Sequence, residues 1–149
     1  MKKLLYIVGI DGSEWSIRAT HRAVNIAKDT GASVRLVYVM NFQSNYQPII
    51  VGSAYYIPEF DAQEQKKKEK KVHEYDIAPL LKKYSDEVAL SSEILWGDPA
   101  ELLLEQAKEK HANMLFLGRR GRSRLADLLL GSTANKVAHC ASIPIVLVP

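Results

Sequence analysis

The sequence predicts an α/β fold in three layers, with helices covering an open sheet of five parallel strands. Strand-like and helix-like runs alternate from end to end, and a strand that returns parallel to its predecessor needs such a helical crossover. The runs at 4–10, 114–117 and 145–148 are nearly continuous in apolar residues, as strands buried on both faces should be. With 149 residues, 47% of them hydrophobic and 25% charged, the chain is sized for one domain over 1–149 that builds its core without disulfides or metal.

The first strand, 4–10, follows Met1-Lys2-Lys3. This start has the charge of a signal peptide, but its apolar run is short and Asp11-Gly12-Ser13-Glu14 closes it, so it reads as a strand. Ser13 is a suitable N-cap for the first helix, which carries Ala19, Ala23, Ile26 and Ala27 at helical spacing and stops at Gly31. The second strand is 34–39. After it comes a polar and aromatic stretch over 41–60 with Tyr46, Tyr55, Tyr56 and Phe60, which reads equally as a lid or as a surface excursion. A long charged helix follows, and Gln65 to Lys71 is read as its solvated face in preference to a basic binding patch. Pro79 interrupts the apolar pattern Ile77, Leu80, Leu81, Tyr84 and should kink or divide that helix.

The third strand is 88–95. Asp98-Pro99-Ala100-Glu101 then places a cap, a first-turn proline and a capping-box glutamate ahead of a buried stripe of Ala100, Leu103, Leu104 and Ala107. The fourth strand, 114–117, leads into a glycine- and arginine-rich loop. A last helix starts at Ser132-Thr133, turns Val137, Ala138 and Ala141 inward and ends before Pro144. The fifth strand, 145–148, closes the chain as an apolar edge that needs covering.

Several functions are disfavoured by these totals. A net charge of +3 is too weak for nucleic-acid binding on electrostatics alone. No apolar stretch reaches the roughly 18 to 20 residues that span a bilayer. The lone Cys140 forms no disulfide framework, which fits a cytoplasmic setting, and its place beside the apolar face of the last helix predicts a buried, inert thiol. His21, His73, His111 and His139 lack metal-ligand spacing. Trp15 and Trp96 border helix starts and are assigned to packing.

The chemistry concentrates between Leu117 and Ala134. Gly118, Gly121 and Gly131 are spaced G-x2-G-x9-G, with Ser132 and Thr133 directly after the last glycine. Glycine admits positive φ and lets backbone N–H groups approach an anion, while a helix N-terminus adds unpaired N–H groups and a favourable dipole. Arg119, Arg120, Arg122 and Arg124 bring four guanidinium groups suited to phosphate, opposed only by Asp127. The loop lacks both the lysine of a P-loop and the glycine spacing of a dinucleotide fingerprint. Asp11 stands just past the first strand, where it serves either turn chemistry or a ligand at the switch point of the sheet.

Taken with Ile10-Asp11-Gly12-Ser13, Ser16, Ala19, Gly31-Ala32, Gly97-Asp98-Pro99 and Pro144 to Val148, the glycine motif makes the chain resemble the universal stress proteins, specifically their ATP-binding branch. The resemblance covers essentially the whole chain. It implies the strand order 3-2-1-4-5 of an adenine nucleotide alpha hydrolase-like fold, with ATP across the carboxyl ends of strands one and four. It further implies that Asp11 meets the ribose or a phosphate-bound Mg²⁺ or Mn²⁺, that the Val39 backbone meets the adenine, and that Gly118, Arg120, Gly121, Gly131, Ser132 and Thr133 surround the phosphates. A homodimer through the last strand is implied as well. Arg124 stands where the family commonly has glycine, and Arg119 where a small hydroxyl residue is frequent. The readings carried forward are a nucleotide-binding regulatory or stress-response protein, a slow ATP-hydrolysing or ATP-using enzyme, and a structural homodimer without ligand, which the complete glycine loop disfavours.

Overall fold

Local chemistry sets each boundary of the chain. In the computed structural model, which describes residues 3–41, 49–56, 62–122 and 129–149, the first strand β1 is Leu5–Ile10 and the first helix α1 is Glu14–Thr30. The Ser13 side chain caps α1 by accepting from Ser16 N, and Gly31 ends it at φ 70°, a left-handed conformation that glycine adopts without a Cβ penalty. Tyr46, Phe60, Arg124 and Asp127, together with Met1 and Lys2, lie outside the described residues.

Strand β2, Ser33–Met40, is followed by a hairpin of β3, Ile49–Val51, and β4, Ala54–Tyr56, which pair with each other and form a separate two-stranded sheet. The sequence reading left this stretch without strands. Gly52-Ser53 forms its two-residue turn with Gly52 at φ 66°, and a glycine-led pair between β-formers was the available signal.

The charged helix α2, Ala62–Val72, passes through a π turn at His73–Ile77 into α3, Ala78–Tyr84. Pro79 accounts for the division, because it has no N–H to give to residue 75 and its ring crowds that carbonyl. The chain answers by widening one turn, with Ala78 N–H donating five residues back to His73 O. Lys66, Lys67, Lys70 and Lys71 are exposed, as a solvated face requires.

Strand β5, Leu90–Trp96, starts two residues later than expected and helix α4, Pro99–Glu109, follows it. Asp98 accepts from Glu101 N at 2.9 Å, so the cap forms as expected. The Glu101 carboxylate goes to Lys136 at 2.9 Å. Strand β6, Met114–Gly118, helix α5, Ser132–Cys140, and strand β7, Ile145–Val148, complete the chain.

The main sheet is all parallel in the order β5-β2-β1-β6-β7. Counted without the hairpin, this is the expected order 3-2-1-4-5. Alternate residues of β1 face opposite layers: Tyr6, Val8 and Ile10 join the cluster under α1 and α3, whereas Ile7 joins Leu103, Ala107 and Val137 under α4 and α5. The small residues Ala19, Ala23 and Ala27 are buried and bring α1 close to the sheet.

Two expectations fail on α5. Ala138 and Cys140 are exposed, and the buried positions are Ala134 and Val137. With the inward face of the helix set by 134 and 137, Cys140 falls to the side by the helical period and is a surface thiol, whereas Ala138 shares the face of Ala134 and is exposed because nothing described covers it at that end of the helix.

Candidate functional site

The chain leaves β1 toward β2 on one side and reaches β6 on the other, so the β1/β6 boundary is the switch point of the sheet. In open parallel sheets a crevice opens there, outside the carboxyl ends of the strands. A cavity of about 380 Å³ occupies this place. Asp11, Val39, Gly118, Arg120, Gly121, Gly131, Ser132 and Thr133 all line it. Residues from four segments far apart in sequence therefore share one wall.

The floor depends on close packing. A Cβ on Gly9 would stand 2.5 Å from Leu117 Cδ2 and 2.9 Å from Leu103 Cδ1, so the missing side chain lets α4 settle against β1. The three motif glycines serve different needs, and none of them has positive φ, contrary to one of the two reasons given for them above. At Gly118 a Cβ would meet Trp15 Cβ at 2.6 Å and the Trp15 carbonyl carbon at 2.8 Å, so this glycine admits the first turn of α1. At Gly121 a Cβ would meet Asp11 Oδ2 at 2.6 Å. Gly131 differs from both. Its φ of −65° and ψ of 159° suit any residue, and the nearest atoms to a Cβ are 3.5 Å away, so neither backbone nor packing demands glycine there. What an added Cβ would take up is space at the cavity wall.

Asp11 performs turn chemistry. Its Oδ1 accepts from Ser13 N at 2.9 Å and its Oδ2 accepts from Arg122 N at 3.1 Å. The carboxylate thus ties the end of β1 both to the start of α1 and to the glycine loop. Tyr38 donates to the Asp11 carbonyl at 3.4 Å. Burial pushes the Tyr38 hydroxyl above its ordinary range; Arg122 opposes the shift, and the Asp76 and Asp11 carboxylates add to it.

The loop end of the cavity is formed by the glycine loop and the start of α5. Helix α5 has Gly131 as its N-cap residue, which offers no side-chain cap. Its first turn, Ser132 to Ala134, lines the cavity. Among the described residues the Nε atoms of Arg119 and Arg120 are buried without a hydrogen-bond partner, although the loop backbone is tied down by Arg119 N to Val148 O at 2.7 Å and by Gly131 N to Arg119 O at 2.8 Å. A buried unpaired donor costs free energy, and Arg35 Nε on β2 shares that condition, so the orphaned atoms are not confined to the cavity.

Leu103, Asn41 and Asp76 were not read as site residues from sequence. Leu103 closes the cavity from α4, where its helical stripe marked it only as core. Asn41 lines the cavity one residue beyond β2, a place whose importance follows only from strand order. Asp76 approaches Arg122, which lines the cavity, by way of the π turn. Trp96, at the far edge, donates its indole N–H to Glu69 Oε1 at 2.7 Å and joins α2 to β5. The four histidines are exposed, and among the described residues no cluster of three or more His, Cys, Asp or Glu could hold a metal ion. No described helix is long and apolar enough to cross a membrane.

Comparison with known proteins places this geometry in context. The model of the Universal stress protein family matches residues 6–149. Universal stress protein YxiE of Bacillus subtilis is 31% identical, the match covering 95% of this chain and 96% of that protein. Universal stress protein MJ0531 of Methanocaldococcus jannaschii is 33% identical over 95% of this chain and 79% of that protein. Among solved structures, universal stress protein UspA from Lactobacillus plantarum superposes with a TM-score of 0.78 at 22% identity, covering 100% of this chain and 99% of that one. A universal stress protein solved in complex with cAMP has a TM-score of 0.68 at 26% identity, with 98% and 97% of the two chains covered. One from Archaeoglobus fulgidus, in complex with dAMP, has a TM-score of 0.65 at 14% identity over 99% and 98%.

Proposed function

Because the chain belongs to the universal stress protein family, we propose that it binds ATP in the switch-point cavity and uses the bound nucleotide for regulation or stress response. The observation that carries this reading is that Gly118, Arg120, Gly121, Gly131, Ser132 and Thr133 line one cavity at the switch point of the sheet, where the N-terminus of α5 has no side-chain cap. Oriented N–H groups and a helix dipole favour phosphate there. Gly118, Gly121, Gly131, Ser132 and Thr133 complete the phosphate end, while Val39 and Asp11 face base and ribose. The cAMP and dAMP complexes of relatives support an adenine nucleotide as the ligand class.

A Mg²⁺ or Mn²⁺ ion would enter on the phosphates, and Asp11, the one carboxylate among the described lining residues, would reach it only through the lone pairs that its two backbone hydrogen bonds leave over. Hydrolysis is slow on this reading. Fast phosphoryl transfer needs a group that orients water and donors aimed at developing charge, and both Asp11 oxygens already accept backbone N–H groups. Among the described lining residues no histidine or second carboxylate supports the enzyme reading.

The proposal extends to a cytoplasmic protein, folded as one domain over 1–149, that pairs through the β7 edge as a homodimer. Strand β7 has β6 on one side only, and its apolar residues Ile145, Val146 and Leu147 are half-buried. To test the nucleotide reading, purified protein is denatured and released nucleotide identified by chromatography, and stripped protein is titrated with ATP and Mg²⁺ by calorimetry. The expected result is ATP binding tighter than that of adenosine. Equal affinity for the two would remove the phosphate site.

A further inference from the structure

Pro79 bears on the cavity through Arg122, one of its lining residues. By widening the helix into a π turn over His73–Ile77, it leaves Ile77 buried, Tyr75 72% exposed and Asp76 directed at the first residues after β1. The Asp76 side chain is only 14% exposed and pairs with Arg122, Nη2 to Oδ2 at 3.5 Å, while the Arg122 side chain is 62% exposed. The pair meets over Gly12. A Cβ there would lie 2.5 Å from Asp76 Oδ1 and 2.6 Å from Arg122 Nη2, and the φ of Gly12 is 77°, so only glycine leaves room for this contact.

Arg122 therefore has two attachments. Its backbone N–H is held by Asp11, and its guanidinium is drawn toward Asp76 at a distance longer than a well-formed charged hydrogen bond. Arg122 also lines the cavity. A loose pair with one shielded carboxylate and one exposed guanidinium is readily exchanged for a more highly charged partner.

The geometry points to Asp76 as a specificity-determining residue that competes with the ligand's phosphates for Arg122. This inference rests on the nucleotide reading of the cavity and deepens it. Asp76 lowers affinity for a ligand that places a phosphate on Arg122 and leaves an unphosphorylated ligand unaffected, so it sets the margin by which the site prefers nucleotide over nucleoside. Transfer of Arg122 to phosphate leaves the Asp76 carboxylate unpaired in the π turn, so occupancy is transmitted to the α2/α3 junction.

The test is calorimetric titration of wild type, Asp76→Asn, Arg122→Gln and the double variant with Mg²⁺-ATP and with adenosine. Asp76→Asn should bind ATP on the order of fivefold more tightly, the scale of one exposed ion pair, with adenosine affinity unchanged and the gain absent in the Arg122→Gln background. In wild-type protein, saturating ATP should speed amide exchange across 73–77 whereas adenosine should not, a readout that needs no variant. If wild type binds ATP but Asp76→Asn shows no gain, or keeps its gain without Arg122, or if exchange at 73–77 ignores ATP, the inference is overturned and the nucleotide reading stands. Failure of wild type and all three variants to bind ATP would overturn both.

Discussion

Replacing Gly131 with alanine separates a ligand-binding glycine from a structural one. At φ −65° and ψ 159° the residue is in a region open to alanine, and the added Cβ would meet Arg120 Cα and Gly121 N at 3.5 Å and Arg119 O at 3.7 Å, all ordinary contacts. Alanine is a poorer N-cap than glycine by up to about 1 kcal/mol. It also restricts the unfolded chain by about 0.4 to 1 kcal/mol, which offsets that loss. The melting midpoint should therefore stay within about 3 °C of wild type. Affinity responds differently. If the methyl group keeps a phosphate from one charged N–H contact, about 1.5 to 3 kcal/mol is lost, or roughly 10- to 100-fold in ATP affinity. Gly118→Ala is the control. Its Cβ would stand 2.6 to 2.8 Å from Trp15 atoms that include backbone, so overpacking of about 1 to 3 kcal/mol should lower the midpoint by roughly 3 to 10 °C. Thermal melts and calorimetry on the two variants decide the matter. Gly131→Ala with wild-type ATP affinity would refute the assignment of this glycine to the phosphates, and a large fall in its melting midpoint would refute the packing argument.

Other outcomes follow from the same geometry. Light scattering at micromolar concentration should give twice the monomer mass, and Val146→Lys should give the monomer with its circular dichroism retained; a wild-type monomer would remove the β7 interface. Asp98→Ala should cost about 1 kcal/mol at pH 7 in urea denaturation, the usual worth of an N-cap. The backbone N–H of Glu101 chiefly, with help from Lys136, holds the Asp98 carboxyl below its ordinary range. A depressed folded pKa contributes stability above the unfolded value and loses it as pH falls through the folded one, so the gap between variant and wild type should shrink below about pH 4. A gap that widens in acid would reverse the assignment. Steady-state ATP turnover should stay below about 1 per second, and a faster rate abolished by Asp11→Ala would make Asp11 catalytic.

What the sequence determined by itself were features whose physics is local. The Ser13 and Asp98 caps, the Gly31 stop and the division at Pro79 depend on residues a few positions apart, and they stand where the sequence reading put them. The parallel sheet was legible because its buried strands are apolar over their whole length, and the glycine loop because its spacing is unusual. Tertiary structure decided whatever depends on which segments meet. The purpose of Gly118 is visible only when Trp15 lies against it, and Gly131 is distinguished from it only by having no such neighbour. Cys140 is exposed because the start of α5 sets which face turns inward, and a run of nine helical residues leaves that phase open in sequence. Asp76 reaches Arg122, a residue of the cavity wall, because a proline three residues later widens a turn, and because the sheet order brings β1 beside the loop that carries Arg122. Contacts between residues 46 positions apart obey chain topology and side-chain direction, which no local pattern records.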